Sequence, residues 1–228
     1  METVEIMTNA VLYSGGKDST FALHKVVESG IKVDLLISIL SRNTHSYMFH
    51  YPNVKYTKMQ AEALGIRQVF AETEGRKEEE LADLEKVLVE NDIELLVTGA
   101  TYSRYQGDRI NEMARRLNIE HVAPLWHIEP MEELGELAKN FNAIITSVSA
   151  EGLDDSFLGK RIDADIIGRL AQANREHGIN MLFEGGEAES FVLDAPLFGK
   201  RIEVKKARKE WNGSSGAYFI EEAVLVEK

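Results

Sequence analysis

The chain has 228 residues, 44% of them hydrophobic, and a formal net charge of −12. This length supplies a core for one large domain or two small ones. The lack of cysteine excludes a disulfide scaffold, a thiolate zinc site and a persulfide mechanism, and the negative charge disfavours loose binding to nucleic acid. With no bilayer-length apolar stretch and no signal-peptide pattern, we expect a cytoplasmic protein without a membrane partner.

The first half of the chain alternates short apolar segments with segments of helical periodicity. The predicted strands cover residues 10–13, 33–40, 66–71, 93–98 and 119–124; a first helix closed by Gly30 and helices at 55–64, 78–90 and 108–117 lie between them. Repeated strand–helix units with apolar strands predict an α/β fold with a doubly wound, parallel, five-stranded sheet. Ligands of such sheets bind at the carboxyl ends of the strands.

The second half has a different pattern. It predicts helices at 131–141 and 163–177 and strands at 143–148, 181–183, 191–193, 202–208 and 218–226. The last two strands flank a turn-rich stretch at 212–216, which indicates a hairpin. We therefore expect a first domain at 1–128 and a smaller C-terminal α+β domain at 129–228, with the boundary near 126–132.

The first functional motif follows the first predicted strand and opens the first helix. It reads Ser14, Gly15, Gly16, Lys17, Asp18 and Ser19. Backbone N–H groups at a glycine turn and a helix N-terminus bind anions, and glycine lets the backbone approach a phosphate closely. The spacing is neither a Walker A loop nor a dinucleotide fingerprint. Asp18 repels phosphate unless it holds a metal or the loop backbone, and an ordinary glycine turn is the alternative interpretation.

The second motif lies near the C-terminus and concentrates negative charge. It reads Glu184-Gly185-Gly186-Glu187-Ala188-Glu189-Ser190, between apolar segments. Closely spaced glutamates raise one another's pKa, so this grouping predicts a bound cation, metal or ammonia-derived group. A solvated acidic loop is the alternative. A third cluster, six basic residues between 200 and 209, is interpreted as a solvated strand face in preference to a docking patch.

Together these motifs resemble a known family. S-G-G-K-D-S resembles the PP-loop of the ATP pyrophosphatases. With E-G-G-E-x-E-[ST] and L-D-A-P-L-F it is similar to the diphthine–ammonia ligases, a branch of the N-type ATP pyrophosphatases. Further matching segments lie at 41–50, 99–109, 124–126 and 152–159. One departure is Ala188, where family members usually carry an aromatic residue.

The resemblance implies a fold like that of the adenine nucleotide alpha hydrolases and a specific reaction. Diphthine on translation elongation factor 2 is amidated with ammonium and ATP through an acyl-adenylate, which gives diphthamide, AMP and pyrophosphate. ATP and Mg²⁺ are the implied cofactors, with the diphthine-bearing factor and ammonium as partners. The lack of a cysteine nucleophile for a glutaminase favours free ammonium as the nitrogen source. A homodimer stays open, and no nucleic acid partner is expected.

The resemblance also assigns residues to roles. Lys17, Asp18, Glu187 and Glu189 are the expected catalytic residues, with Asp18 as the metal ligand. ATP is expected to contact Ser14, Gly15, Gly16, Lys17, Asp18 and Ser19, with its adenine near Ser38, Leu40, Gly99 and Ala100. The acceptor is expected near Glu184, Gly185, Gly186, Glu187, Glu189, His45, Tyr102 and Arg104.

Two other functions remain open at this point. One is a different PP-loop adenylating ligase, which acts on a small molecule in cofactor salvage or on tRNA. The other is an ATP-binding sensor without turnover. The net charge of −12 speaks against tRNA, and the pairing of Lys17 with Asp18 and a glutamate cluster favours an enzyme.

Overall fold

A computed structural model describes residues 8–41, 53–73, 79–101 and 104–228. Its first part contains β1 (Thr8–Leu12), α1 (Lys17–Glu28), β2 (Leu35–Ser41), α2 (Thr57–Leu64), β3 (Arg67–Thr73), α3 (Glu79–Glu90), β4 (Ile93–Val97), α4 (Arg104–Leu117) and β5 (Glu120–Val122). The five strands pair in parallel in the order β3-β2-β1-β4-β5. The predicted five-stranded parallel sheet is therefore confirmed, and its order reverses beside β1, where the first motif begins.

The second part builds a separate antiparallel sheet. It contains α5 (Pro130–Asn140), β6 (Asn142–Val148), α6 (Ala164–His177), β7 (Ala188–Asp194), β8 (Lys200–Trp211) and β9 (Gly216–Glu227). The strand order is β7-β6-β9-β8, and β8 and β9 form the predicted hairpin. This arrangement confirms the expected smaller α+β unit.

Local signals set the ends of several helices. The Asp163 side chain accepts a hydrogen bond from the Ile166 amide at 3.1 Å and so caps α6. The same helix ends at Gly178, which adopts the left-handed conformation typical of a C-terminal cap. Helix α2 ends in the same way at Gly65.

The prediction of a strand at 181–183 is wrong. Leu182 and Phe183 lie in a turn, in which the Leu182 amide donates to Asn180 Oδ1 at 2.8 Å and the Phe183 amide donates to Asn180 O at 3.0 Å. An asparagine side chain that bonds nearby backbone competes with strand pairing. Both apolar side chains are buried all the same, so they anchor a loop and not a strand.

The two sheets share one apolar core. Buried residues from α1, α5, α6 and β7 belong to a single cluster, in which Phe21 packs edge-on against Phe141 with ring centroids 5.7 Å apart. Backbone hydrogen bonds also cross between the two parts, such as that from the Gly199 amide to Ala63 O at 2.6 Å. The domain boundary near 126–132 remains a prediction.

The basic residues at 200–209 lie on an edge strand of the second sheet. Strand β8 lies at the outer edge of its sheet, and its basic side chains face acidic neighbours, since Lys206 and Arg208 both contact Glu221 at 2.8 and 3.4 Å. This pairing favours the interpretation of residues 200–209 as a solvated strand face.

Among the described ranges, no helix has the length and apolar character needed to cross a membrane.

Candidate active site

The loop between β1 and α1 is held from both sides. Gly15 has a φ of +79°, and a Cβ atom there would lie 2.3 Å from Gln60 Oε1, so only glycine fits. Its carbonyl accepts hydrogen bonds from Gln60 Nε2 at 3.0 Å and from the Val192 amide at 2.9 Å. Helix α2 and strand β7 therefore fix the path of the loop.

Hydroxyl groups gather around the first amides of α1. The Lys17 amide donates to Ser190 Oγ at 3.0 Å, and Ser14 Oγ lies 3.2 Å from Ser19 Oγ. Gly16, the residue before the helix, has no side chain that caps these amides. Backbone amides and hydroxyl groups at a helix N-terminus are the groups that bind phosphate. The first motif thus has the geometry of an anion cradle, and Ser190 of the second motif lies directly against it.

The Lys17 side chain is fully buried beside this cradle. Its Nζ contacts the Asp18 carboxylate and lies 3.3 Å from Glu133 Oε1, with the Phe183 ring centroid 5.4 Å away. Burial disfavours the charged amine, but the nearby carboxylates of Asp18 and Glu133 outweigh it and hold the pKa of Lys17 above its ordinary value. Lys17 therefore stays a cation inside an acidic surrounding.

Glu133 is a site residue that the sequence analysis missed. It lies in the first turn of α5, fully buried, and its Oε2 atom has no hydrogen-bond partner among the described residues. Burial raises the pKa of Glu133, which Asp18 raises further and Lys17 partly offsets. A signal was present: Glu133 shares the apolar face of its helix with Leu134 and Leu137.

The three glutamates of the second motif differ in their surroundings. Burial, reinforced by Asp18 and partly offset by Lys17, raises the pKa of Glu189 to about 8, so Glu189 belongs to the charge cluster around Lys17. Glu187 instead accepts hydrogen bonds from the amides of Asn180 and Gly185, both at 2.8 Å. Glu184 accepts a hydrogen bond from Thr101 Oγ1, which follows β4.

These contacts give each glutamate a different task. Both carboxylate oxygens of Glu187 brace the turn that contains Gly185 and Gly186, and this favours a positioning role over the direct catalytic role expected from the sequence. Glu189 interacts electrostatically with Lys17 and Asp18, so it can act on the same chemistry.

The residues predicted to contact adenine lie at the carboxyl edge of the first sheet. Ser38 is buried, and its Oγ donates to Tyr13 O at 2.5 Å and accepts from Gln68 Nε2 at 2.7 Å. A Cβ atom on Gly99 would lie 2.7 to 2.8 Å from backbone atoms of Asp18 and Ser19. Leu40 and Ala100 are half-buried. Packing of α1 accounts for Gly99, and contact with adenine remains a prediction.

Three predicted acceptor residues cannot be placed in this arrangement. His45 and Tyr102 lie outside the described residues, and so does the side chain of Arg104, whose backbone begins α4. Their expected contacts with the substrate remain predictions.

Asp18 suits the way proteins usually hold Mg²⁺ next to a nucleotide. Among the ranges described, no group of three or more acidic or histidine side chains is arranged to hold a metal ion. Mg²⁺ at a nucleotide is typically held by one or two carboxylates together with phosphate oxygens and water. About a third of the Asp18 side chain is exposed beside the cradle, so it can supply such a ligand.

Two family models match consecutive parts of the chain. The diphthamide synthase N-terminal domain matches residues 7–121, and the diphthamide synthase C-terminal domain matches residues 129–226. The chain belongs to the diphthamide synthase family. The N-terminal match contains the cradle and the C-terminal match contains all three glutamates of the second motif.

Named relatives agree with this assignment. The diphthine–ammonia ligase of Homo sapiens is 32% identical over 220 residues, which cover 86% of this chain and 82% of the human protein. The protein of the same name from Mus musculus is 32% identical and covers 87% and 83%. That from Schizosaccharomyces pombe is 31% identical over 84% of this chain, but only 35% of the longer yeast protein.

A solved structure shows a more distant likeness. It is described as a predicted subunit of a tRNA methyltransferase from Methanocaldococcus jannaschii, with a TM-score of 0.44 and 18% identity over 84% of this chain and 98% of that one. Similarity at this level does not establish a shared fold or activity.

Proposed function

We propose that this chain is a diphthine–ammonia ligase, which uses ATP to amidate diphthine with ammonium. The observation that carries the proposal is the match of both family domains together with their contact in space. Ser190 of the glutamate segment accepts a hydrogen bond at 3.0 Å from the Lys17 amide of the PP-loop. The two motifs that the reaction needs therefore form one site.

The reaction must first make an unreactive carboxylate electrophilic. We propose that the diphthine carboxylate attacks the α-phosphorus of ATP, which releases pyrophosphate and leaves an acyl-adenylate that ammonia then opens to give the amide and AMP. Negative charge builds up on the phosphate oxygens during the first step. The loop amides at Gly15 and Gly16, the hydroxyls of Ser14 and Ser19, and the Lys17 cation are suited to stabilise that charge.

Mg²⁺ is the proposed companion of the nucleotide. Asp18 would hold it together with phosphate oxygens, and the ion would neutralise charge on the phosphates when bound. The chain's own contribution is to keep Asp18 fixed in the first turn of α1, where Lys17 contacts its carboxylate.

The acceptor side is proposed to lie around the second motif. The trimethylammonium group of diphthine is a permanent cation, and the carboxyl groups of Glu184 and Glu189 can face it. Burial raises the pKa of Glu189, and a cation bound beside it would favour its ionised form. Glu187 keeps the turn at 185–186 in shape. The macromolecular partner is translation elongation factor 2 bearing diphthine, which implies a cytoplasmic reaction, and we expect no nucleic acid partner for a chain of charge −12.

A reconstituted assay tests the proposal. The purified chain is incubated with diphthine-bearing elongation factor, ATP, Mg²⁺ and ammonium, and the factor is analysed by mass spectrometry while AMP is measured. We expect a mass change equal to conversion of one carboxylate to an amide, with one AMP per modified factor. AMP formation that depends instead on a small molecule or on tRNA, or no turnover of bound ATP, would contradict it. An elongation factor without the diphthine modification is the matched control.

A further inference from the structure

One buried carboxyl group beside the cradle has no task in the reaction described so far. Glu133 is fully buried in the first turn of α5. Its Oε1 atom lies 3.3 Å from Lys17 Nζ, whereas its Oε2 atom has no hydrogen-bond partner among the described residues. A buried carboxylate oxygen that has left water gains a large stabilisation from any group that donates to it.

The charges around Lys17 indicate what kind of ligand suits this oxygen. Within the described part of the chain, three carboxyl groups act on this lysine, since Asp18 and Glu133 contact it and Glu189 interacts with it electrostatically. One cation among three carboxyl groups leaves an excess of acidic groups. The Phe183 ring, whose centroid lies 5.4 Å from Lys17 Nζ, helps to hold this one cation in place. With Lys17 held in place, the remaining carboxyl oxygens can accept hydrogen bonds from a second small cation.

We propose that Glu133 binds the ammonium substrate, with its Oε2 atom as acceptor for one N–H donor. This inference rests on the proposed function, in which ammonium supplies the nitrogen. Ammonium has four N–H donors and a single charge, so it can donate to Glu133 and still face Glu189. The position beside the first turn of α1 brings it next to the loop where the activated carboxyl group forms.

Substitution of Glu133 distinguishes binding of ammonium from an indirect effect through Lys17 or the fold. Glu133→Gln keeps the size of the side chain and an oxygen for Lys17, but it replaces the other oxygen by an amide nitrogen, which cannot accept a hydrogen bond from ammonium. We expect the KM for ammonium to rise about tenfold or more, because a charge-assisted hydrogen bond is lost, while the KM for ATP changes less than about twofold. Hydroxylamine, which is uncharged at neutral pH, should react in the variant at nearly the wild-type rate.

The matched control is Glu132→Gln. Glu132 is exposed in the same helical turn, so its variant should behave like the wild type with both nucleophiles. Equal losses with ammonium and hydroxylamine would show that Glu133 acts through Lys17 or the fold, and would overturn the inference. An unchanged KM for ammonium, or recovery of the variant by added Mg²⁺, would overturn it as well.

A second measurement does not depend on turnover. In the presence of ATP, ammonium chloride should raise the melting temperature of the wild type above its value in the same concentration of sodium chloride, and Glu133→Gln should lose that difference. The same difference in both proteins, or none in the wild type, would refute ammonium binding by Glu133. Ammonium binding without amidation of diphthine would count against the proposed function alone.

Discussion

The surroundings of the Lys17 side chain could be predicted from the sequence only in part. The sequence predicts that Lys17 contacts ATP, and the structure shows its side chain fully buried between Asp18 and Glu133. The motif itself was predictable because loop, strand and helix are local in sequence. The partner Glu133 was not, because it lies 116 residues away and reaches the loop only through packing of α5 on α1.

The stability of the protein should depend on pH through Glu189. The pKa of this carboxyl is raised to about 8 in the folded state, above its ordinary value of 4.5, so folding takes up a proton and stability falls as pH rises through that window. We expect the free energy of unfolding to fall by about 3 kcal/mol between pH 5 and pH 8, measured by unfolding in urea. Glu189→Gln should flatten this slope, and Glu133, whose pKa burial also raises, should account for what remains. An equal slope in the variant would contradict the assignment.

Gly99 should tolerate no side chain. In Gly99→Ala the new Cβ atom meets backbone atoms of Asp18 and Ser19 at 2.7 to 2.8 Å, and backbone cannot move aside as a side chain does. We expect a loss of about 1–3 kcal/mol in the free energy of unfolding, together with a higher KM for ATP, since the first turn of α1 shifts.

Gly168→Ala is the matched control for that substitution. Gly168 lies within α6 with open space around it, so alanine should stabilise the protein by about 0.5–1 kcal/mol. If both alanine variants melted at or above the wild-type temperature, close packing at Gly99 would not be the reason for its glycine.

At the level of elements, local patterns predicted most helices and strands, and side-chain competition explains the exception. The strands of both sheets were foreseen from their apolar segments, and α6 was foreseen at 163–177. The predicted strand at 181–183 failed because Asn180 binds the amides that a strand would offer to a neighbour. The sequence shows that Leu182 and Phe183 are apolar, but not whether they pack from a strand or from a turn.

Helix α2 should control the cradle through a single side chain. Gln60 is fully buried and donates to Gly15 O at 3.0 Å and to Val192 O at 2.6 Å, so it joins α2 to the loop and to β7. In Gln60→Leu both carbonyls lose this donor, and we expect a loss of about 1–3 kcal/mol in stability and a higher KM for ATP. Glu62→Gln, exposed on the same helix, should change neither. A Leu variant with unaltered ATP kinetics would show that the loop holds its shape without α2.

For the whole molecule, two family models correspond to one continuous core. Residues 7–121 and 129–226 match separate domains, yet buried side chains from both parts belong to the same cluster. The sequence predicted the two parts from a change in element pattern. It gave no sign of their shared core, because the contacts join residues more than a hundred positions apart, such as Phe21 and Phe141.

This shared core predicts joint unfolding. We expect a single cooperative thermal transition for the full chain, and we expect residues 1–128 expressed alone to lack one, because the faces of α1 and α2 that pack on the second sheet become exposed. Differential scanning calorimetry of both proteins checks this. Two resolved transitions in the full chain, or a sharp one in the fragment, would mean that the two parts are energetically independent.

The outer edge of β8 determines whether two copies of this protein can associate through their sheets. An edge strand offers backbone groups to which an identical strand can add, which is a common origin of fibres. This strand carries six basic residues and only two glutamates, so two such edges would meet with like charge. High protein concentration should therefore not drive edge-to-edge stacking at this strand, whereas high salt, which screens that repulsion, should make it easier.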